Sequence, residues 1–146
     1  MAYHIYISNS GSEFFSHFLM DEDSGALSPQ ADIALAGSPG AVATNPDGSI
    51  MFAALRSAKQ LVSYSVDKSS GQLTTIGGVV LEEGPPYLAT DNTCSYLLSS
   101  YYGSGYAGVH RINDDGTLSE EPLQMVQTDG HAHSIQTDRS NRFVFV

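Results

Sequence analysis

Two histidines stand two residues apart in Gly130-His131-Ala132-His133-Ser134-Ile135. The run that follows, Thr137-Asp138-Arg139-Ser140-Asn141 and then Phe143-Val144-Phe145-Val146, has the form of a tight polar turn and an apolar strand. Side chains of an extended chain alternate between its faces, so a strand starting here puts His131 and His133 on one side and Ala132 and Ser134 on the other. Paired imidazoles can take a proton from water and return it to a leaving oxygen. They can also ligate a metal, but two histidines with no obvious third ligand nearby make a weak site, and no metal is expected. His133 is the first candidate for acid/base chemistry and His131 the second. Substrate-binding candidates are Arg56, Tyr101, Tyr102 and Asn9. Arg56 has a guanidinium fork that suits a carboxylate or phosphate. Tyr101 and Tyr102 stand beside Gly103 and Gly105, where a ligand could approach the backbone closely. Asn9 ends the first strand-like segment. Each has a bland counterpart: histidines satisfied by neighbouring strands, a solvated arginine, a turn packed by aromatics. The glycines after Tyr102 are no phosphate loop, because neither a lysine nor a helical pattern follows them. His4, His17 and His110 are isolated in sequence and receive no role. Cys94 lies in a turn without a base in reach, which argues against a nucleophile.

The elements that must position these residues are strands. The 146 residues suffice for one domain with a sizeable core. Glycine occurs 14 times, tyrosine 8 and phenylalanine 6, and turn formers recur at short intervals, a profile of many short strands. Net charge is −10, from 16 acidic against 6 basic residues, so nucleic-acid binding and a basic membrane-surface patch are excluded. Cys94 is the single cysteine and can form no internal disulfide. Met1-Ala2 runs directly into His4-Ile5-Tyr6-Ile7 without a signal-peptide pattern, and no stretch reaches the roughly 20 apolar residues of a membrane helix. A cytoplasmic location is the expectation, with no cofactor.

Comparison of the sequence with itself reveals a period. Gly25-Ala26-Leu27, Gly71-Gln72-Leu73 and Gly116-Thr117-Leu118 recur 46 and 45 residues apart. The turns opened by Thr44, Thr90 and Thr137 recur 46 and 47 apart, and each leads into an apolar run: Ile50 to Ala53, Tyr96 to Ser99, and Phe143 to Val146. Each period holds four strand signals, with Asp-Gly hairpin turns at 47–48 and 115–116. Four antiparallel strands per period of this length are the signature of a β-propeller blade. The fold class is therefore all-β: blade 1 over about 3–36, blade 2 over 37–82, blade 3 over 83–128, and two strands of blade 4 over 129–146. A sandwich of short strands is the runner-up and does not explain the period. About three and a half blades leave raw sheet edges, which pair or aggregate when exposed. In a blade, the loop between the second and third strands lies on the same face as the start of the first strand, so the Tyr101 loop and the two histidines should share one face.

These residues resemble the seven-bladed propeller lactonases, the family of bacterial 6-phosphogluconolactonase and fungal carboxymuconate lactonising enzyme. The resemblance rests on the Asp-x-x-Ser/Thr-Gly-x-Leu turns from Asp21 and Asp67 and on Ser100-Tyr101-Tyr102-Gly103-Ser104-Gly105, similar to the family's Asn-Tyr-Gly-Gly-Gly with Ser100 in place of Asn. It rests also on Asp114-Asp115-Gly116-Thr117-Leu118 and on His131-Ala132-His133-Ser134. It implies an enzyme that hydrolyses a lactone or closes one from an acid, with the His133 position at the channel mouth. Arginines and a glutamate would come from later blades. A seven-bladed ring implies that a second polypeptide, a cleaved C-terminal part or a separate subunit, supplies the remaining blades. The alternative is a non-catalytic propeller acting as a binding platform.

Overall fold

A computed structural model describes residues 2–146. Its described residues form strands and no helix, and every strand pair is antiparallel. The first sheet pairs β1 (Ala2–Ser8) with β2 (Phe14–Asp21); the outer side of β2 is covered by two short pieces, β3 (Leu27–Pro29) and β4 (Ile33–Ala34). The second sheet runs β5 (Pro39–Thr44), β6 (Ile50–Leu55), β7 (Gln60–Val66), β8 (Leu73–Val80) in chain order. The third runs β9 (Tyr87–Thr90), β10 (Tyr96–Tyr101), β11 (Tyr106–Arg111), β12 (Gln124–Gln127). A last pair, β13 (Gln136–Thr137) and β14 (Val144–Phe145), begins a fourth.

The sheets stack face to face, and this explains why their middle strands read as continuous apolar runs. Met51, Ala53 and Leu55 of β6 pack with Phe15 and Ile33 of the first sheet. Phe52 and Ala54, on the opposite face of the same strand, pack with Leu88 and Leu97 of the third. β10 repeats the pattern, with Leu97 turned toward the second sheet and Leu98 packed with Ala107 and Ile135 on the side of the fourth.

The acidic balance is spent at turns. Asp47, Asp67, Asp91, Asp115 and Asp138 each accept the hydroxyl of the Ser or Thr two residues on, at 2.5 to 2.7 Å, together with that residue's backbone N–H. Such Asx turns satisfy the backbone where the chain reverses. The hydroxyl bonds from Ser69 and Ser140 hold Asp67 and Asp138 down to about 2. One of these turns also staples neighbouring sheets: Asn141 donates to Asp91 at 2.8 Å, and Asn92 donates to the Asp138 carbonyl at 2.8 Å.

Histidines 4 and 17, which look isolated in the sequence, are in fact a pair. His4 Nδ1 lies 2.9 Å from His17 Nε2, and the Tyr6 ring stacks on His17 at 5.2 Å and 6°. His4 Nε2 faces the Lys68 carbonyl at 3.2 Å. A carbonyl only accepts, so Nε2 of His4 carries the proton and its Nδ1 accepts from His17. Tyr6 donates to the Gly71 carbonyl at 2.8 Å, closing the contact between the first and second sheets.

Candidate active site on the loop face

Alternation along β10 decides which tyrosine reaches which neighbour. Leu97, Ser99 and Tyr101 share one face, and Leu98, Ser100 and the following Tyr102 share the other. Tyr101 is only 5 % exposed and bonded by Ser99 Oγ at 3.2 Å, and burial raises its phenol above the ordinary value. It does not belong to the loop surface with Tyr102. It lines instead a cleft of about 940 Å³ between β8 and the third sheet, together with Val79, Glu82, His110, Leu118 and Met125. Neither Arg56 nor Tyr102, His131 or His133 lines that cleft.

Tyr102 is exposed and is the centre of a group. Its ring lies 4.6 Å from that of His131, tilted by 39°, and 5.6 Å from that of His133, edge-on at 88°. The His131 N–H donates to the Tyr102 carbonyl at 3.1 Å. Both imidazoles are exposed, while Ala132 and Ile135 between and beyond them are buried. This alternation does not come from a strand. The segment before Gln136 is turn and irregular chain, and His131 has φ +74°, in the left-handed region. The extended-strand expectation for 131–135 is thus corrected: a tight turn presents His131, and the two apolar anchors hold the segment down.

Glu83 joins the group although nothing marked it in the sequence. Its carboxylate accepts the Gly103 N–H at 2.8 Å and the Ser104 N–H at 3.1 Å, bridging to the turn that carries Tyr102. Burial alone would raise this carboxyl, but the bonds from Ser104 and Gly103 outweigh it, and its pKa is lowered. The acid is therefore ionised at neutral pH. The only sequence hint is position, since Glu83 immediately precedes Gly84-Pro85, where the third sheet opens.

Arg56 follows β6 as Tyr102 follows β10, in the corresponding turn of the second sheet. It is exposed, and no carboxylate among the described residues forms an ion pair with it. Its stem crosses two strand entrances: a Cβ on Gly40 would stand 2.8 Å from Arg56 Cδ, and one on Gly84 3.4 Å from its Cα. Asn9, at the end of β1, is tied into its own hairpin by donating to Ser16 Oγ at 3.0 Å.

Four-stranded antiparallel sheets stacked face to face, with the Tyr102 turn and the histidine segment meeting on one face, define a run of β-propeller blades. Residues 4–146 match the family described as "Lactonase, 7-bladed beta-propeller", and the chain belongs to it. The sequence is 28% identical over 132 residues to 6-phosphogluconolactonase of Bacillus subtilis, covering 88% of this chain and 38% of the relative. To 6-phosphogluconolactonase of Xenorhabdus nematophila it is 30% identical over 122 residues, covering 84% and 37%. The periplasmic gluconolactonase of Pseudomonas aeruginosa shares the fold with a TM-score of 0.86 at 21% identity, over 99% of this chain and 47% of that one. The chain spans about two fifths of the length of these curated relatives. No helix among the described residues is long and apolar enough to cross a membrane.

Proposed function

We propose that this chain forms part of a lactone hydrolase acting on a sugar-acid lactone, with His133 and His131 handling the proton. The observation that carries the reading is two exposed imidazoles against one Tyr102 ring on the loop face. In hydrolysis a water oxygen attacks the lactone carbonyl while an imidazole takes the proton it sheds. Collapse of the tetrahedral adduct breaks the bond between the acyl carbon and the ring oxygen, and the imidazolium returns its proton to that oxygen. The products are a carboxyl group and a hydroxyl on one open chain. Arg56 is the candidate for gripping a carboxylate or phosphate on the substrate, since a guanidinium can do so with two parallel bonds. The same groups would serve lactone closure from an unsaturated acid; the names of the curated relatives favour hydrolysis.

The remaining blades of the ring, supplied by a second polypeptide, complete the site in this reading. The apolar surface at and beside β14, where Phe143 is 58%, Phe145 64% and Val146 56% exposed, is one that further strands would cover, whichever polypeptide carries them. Intact mass and light scattering on the native assembly test the reading: a second polypeptide in one-to-one ratio supports it, and a lone monomer of this chain refutes it. A cytoplasmic location belongs to the same proposal, supported by the unpaired Cys94 and tested by cell fractionation.

The functional test is turnover of gluconic and 6-phosphogluconic δ-lactones by the native assembly, with His133→Ala beside it. Loss of turnover in the variant supports the assignment. Unchanged turnover removes the histidine from the chemistry, and no turnover by either protein favours the binding platform.

A further inference from the structure

We infer that Glu83 is the positioning residue of the histidine group, fixing the Tyr102 turn and through it the two imidazoles; its part in catalysis rests on the function proposed above. Tyr102, Gly103 and Ser104 are all exposed, and a solvated turn tip does not by itself hold a ring in place. A productive constellation must nevertheless be held to within about 0.5 Å by its supporting shell. Here the support comes from two sides. The His131 N–H fastens the Tyr102 carbonyl, and the Glu83 carboxylate fastens the next two N–H groups, one per oxygen. Hydrogen bonds to an ionised acceptor are roughly twice as strong as neutral ones, which makes Glu83 the stronger of the two clamps.

The clamp has a rigid base and a shaped seat. Pro85 is fully buried, and Gly84 packs against the Arg56 backbone, so the segment bearing Glu83 is fixed between the second and third sheets. At the other end, a Cβ on Gly103 would stand 2.8 Å from Glu83 Oε1, so a side chain there would push the carboxylate off its seat. Glu83 and Gly84 together thus join Arg56 on one side to Tyr102, His131 and His133 on the other. Without Glu83 the Tyr102 turn would keep its backbone bonds from Thr128 and His131 but lose its tie to the segment beside Arg56.

The test uses the native assembly and three variants, Glu83→Ala, Glu83→Gln and Gly103→Ala, each checked for folding by circular dichroism. Contacts between the Tyr102 ring and the His131 and His133 ring protons are read by NMR with selectively labelled tyrosine and histidine. Glu83→Ala should abolish both contacts and lower kcat about tenfold with KM nearly unchanged, as for a misplacement felt in the transition state. Glu83→Gln keeps one accepting oxygen and should lose about threefold. Gly103→Ala should expel the carboxylate and match Glu83→Ala. The double variant should then lose no more than either single one, because both changes break the same link. Ring contacts that persist in Glu83→Ala, or losses that multiply in the double variant, would overturn the inference. The ring contacts are read without substrate, so a wild-type assembly that turns over no lactone sinks the proposed function and leaves this result to stand or fall alone.

Discussion

The molecule holds two histidine pairs, and they are opposites. His131 and His133 are two residues apart in sequence, exposed, and brought together by a third ring. His4 and His17 are thirteen apart, joined directly nitrogen to nitrogen at 2.9 Å, with His17 only 3% exposed. Exposure leaves the first pair open to solvent. In the second pair His4 Nδ1 and His17 Nε2 are committed to each other and His4 Nε2 to the Lys68 carbonyl, and a Cβ on Gly71 would meet both rings. The same side chain is therefore presented to solvent on one side of the molecule, where the proposed reaction would use it, and serves adhesion between sheets on the other, and burial with hydrogen bonding separates the two.

If this division is right, substitutions at the two places should move different observables. His133→Ala should lower kcat/KM of the native assembly by about 10² to 10³, the range of a lost general acid/base, while its melting temperature stays that of the wild type. Gly71→Ala should do the reverse. A Cβ there would collide with His4 Nδ1 and stand 2.6 Å from His17 Nε2, at φ +73°, where an L-residue is strained anyway. A loss of about 3 kcal/mol in denaturant unfolding is expected, in the class of overpacked and backbone-strained sites. Lactone turnover per folded molecule, the proposed activity, should be unchanged. Tyr102→Ala removes the ring between the exposed imidazoles and should lower kcat about tenfold, whereas Tyr102→Phe keeps the ring and should cost about twofold or less. A Tyr102→Phe loss as large as that of Tyr102→Ala would show that the hydroxyl reacts and that the ring does not merely position.

The blades were legible because their signal is carried by whole runs. β6 and β10 are buried on both faces, so both read as unbroken apolar segments, and the Asp-x-Ser/Thr turns recur with them at one period. The exposed histidines were legible from spacing, although the geometry behind that spacing is a left-handed turn and not a strand. Tyr101 and Tyr102 could have been separated by carrying the alternation of Leu97 and Leu98 through to the loop. Glu83 and the His4–His17 pair could not be read, because nothing local produces them. Glu83 meets a turn twenty residues onward, and His4 meets His17 because β1 and β2 are paired in the register His4↔Leu19 and Tyr6↔His17 and face a loop of the next sheet. Such contacts belong to how blades stack, which a repeat announces only in outline.

The buried pair also has a consequence in pH. Burial, and then the neighbouring His4, lower the His17 pKa below the ordinary histidine value of 6.5. Above that pH neither the folded nor the unfolded chain protonates this ring, and His17 costs nothing. As pH falls through 6.5 the unfolded chain takes up a proton that the folded chain refuses, so stability drops until the lowered folded value is passed. Tyr6, stacked on His17, has its phenol raised by burial and by Asp67, so it stays neutral throughout this window. The turn carboxylates Asp67 and Asp138, held down to about 2, stay ionised in the native state and lose their contribution only at more acid pH. A melting temperature that declines between pH 7 and 5.5 in the wild type should therefore decline less in His17→Phe. That variant starts lower, because His4 Nδ1 has lost its donor, but it has no buried ring left to titrate. An unchanged slope would mean that the sheet contact tolerates a second proton, and the contrast between the two pairs would then lie in exposure alone.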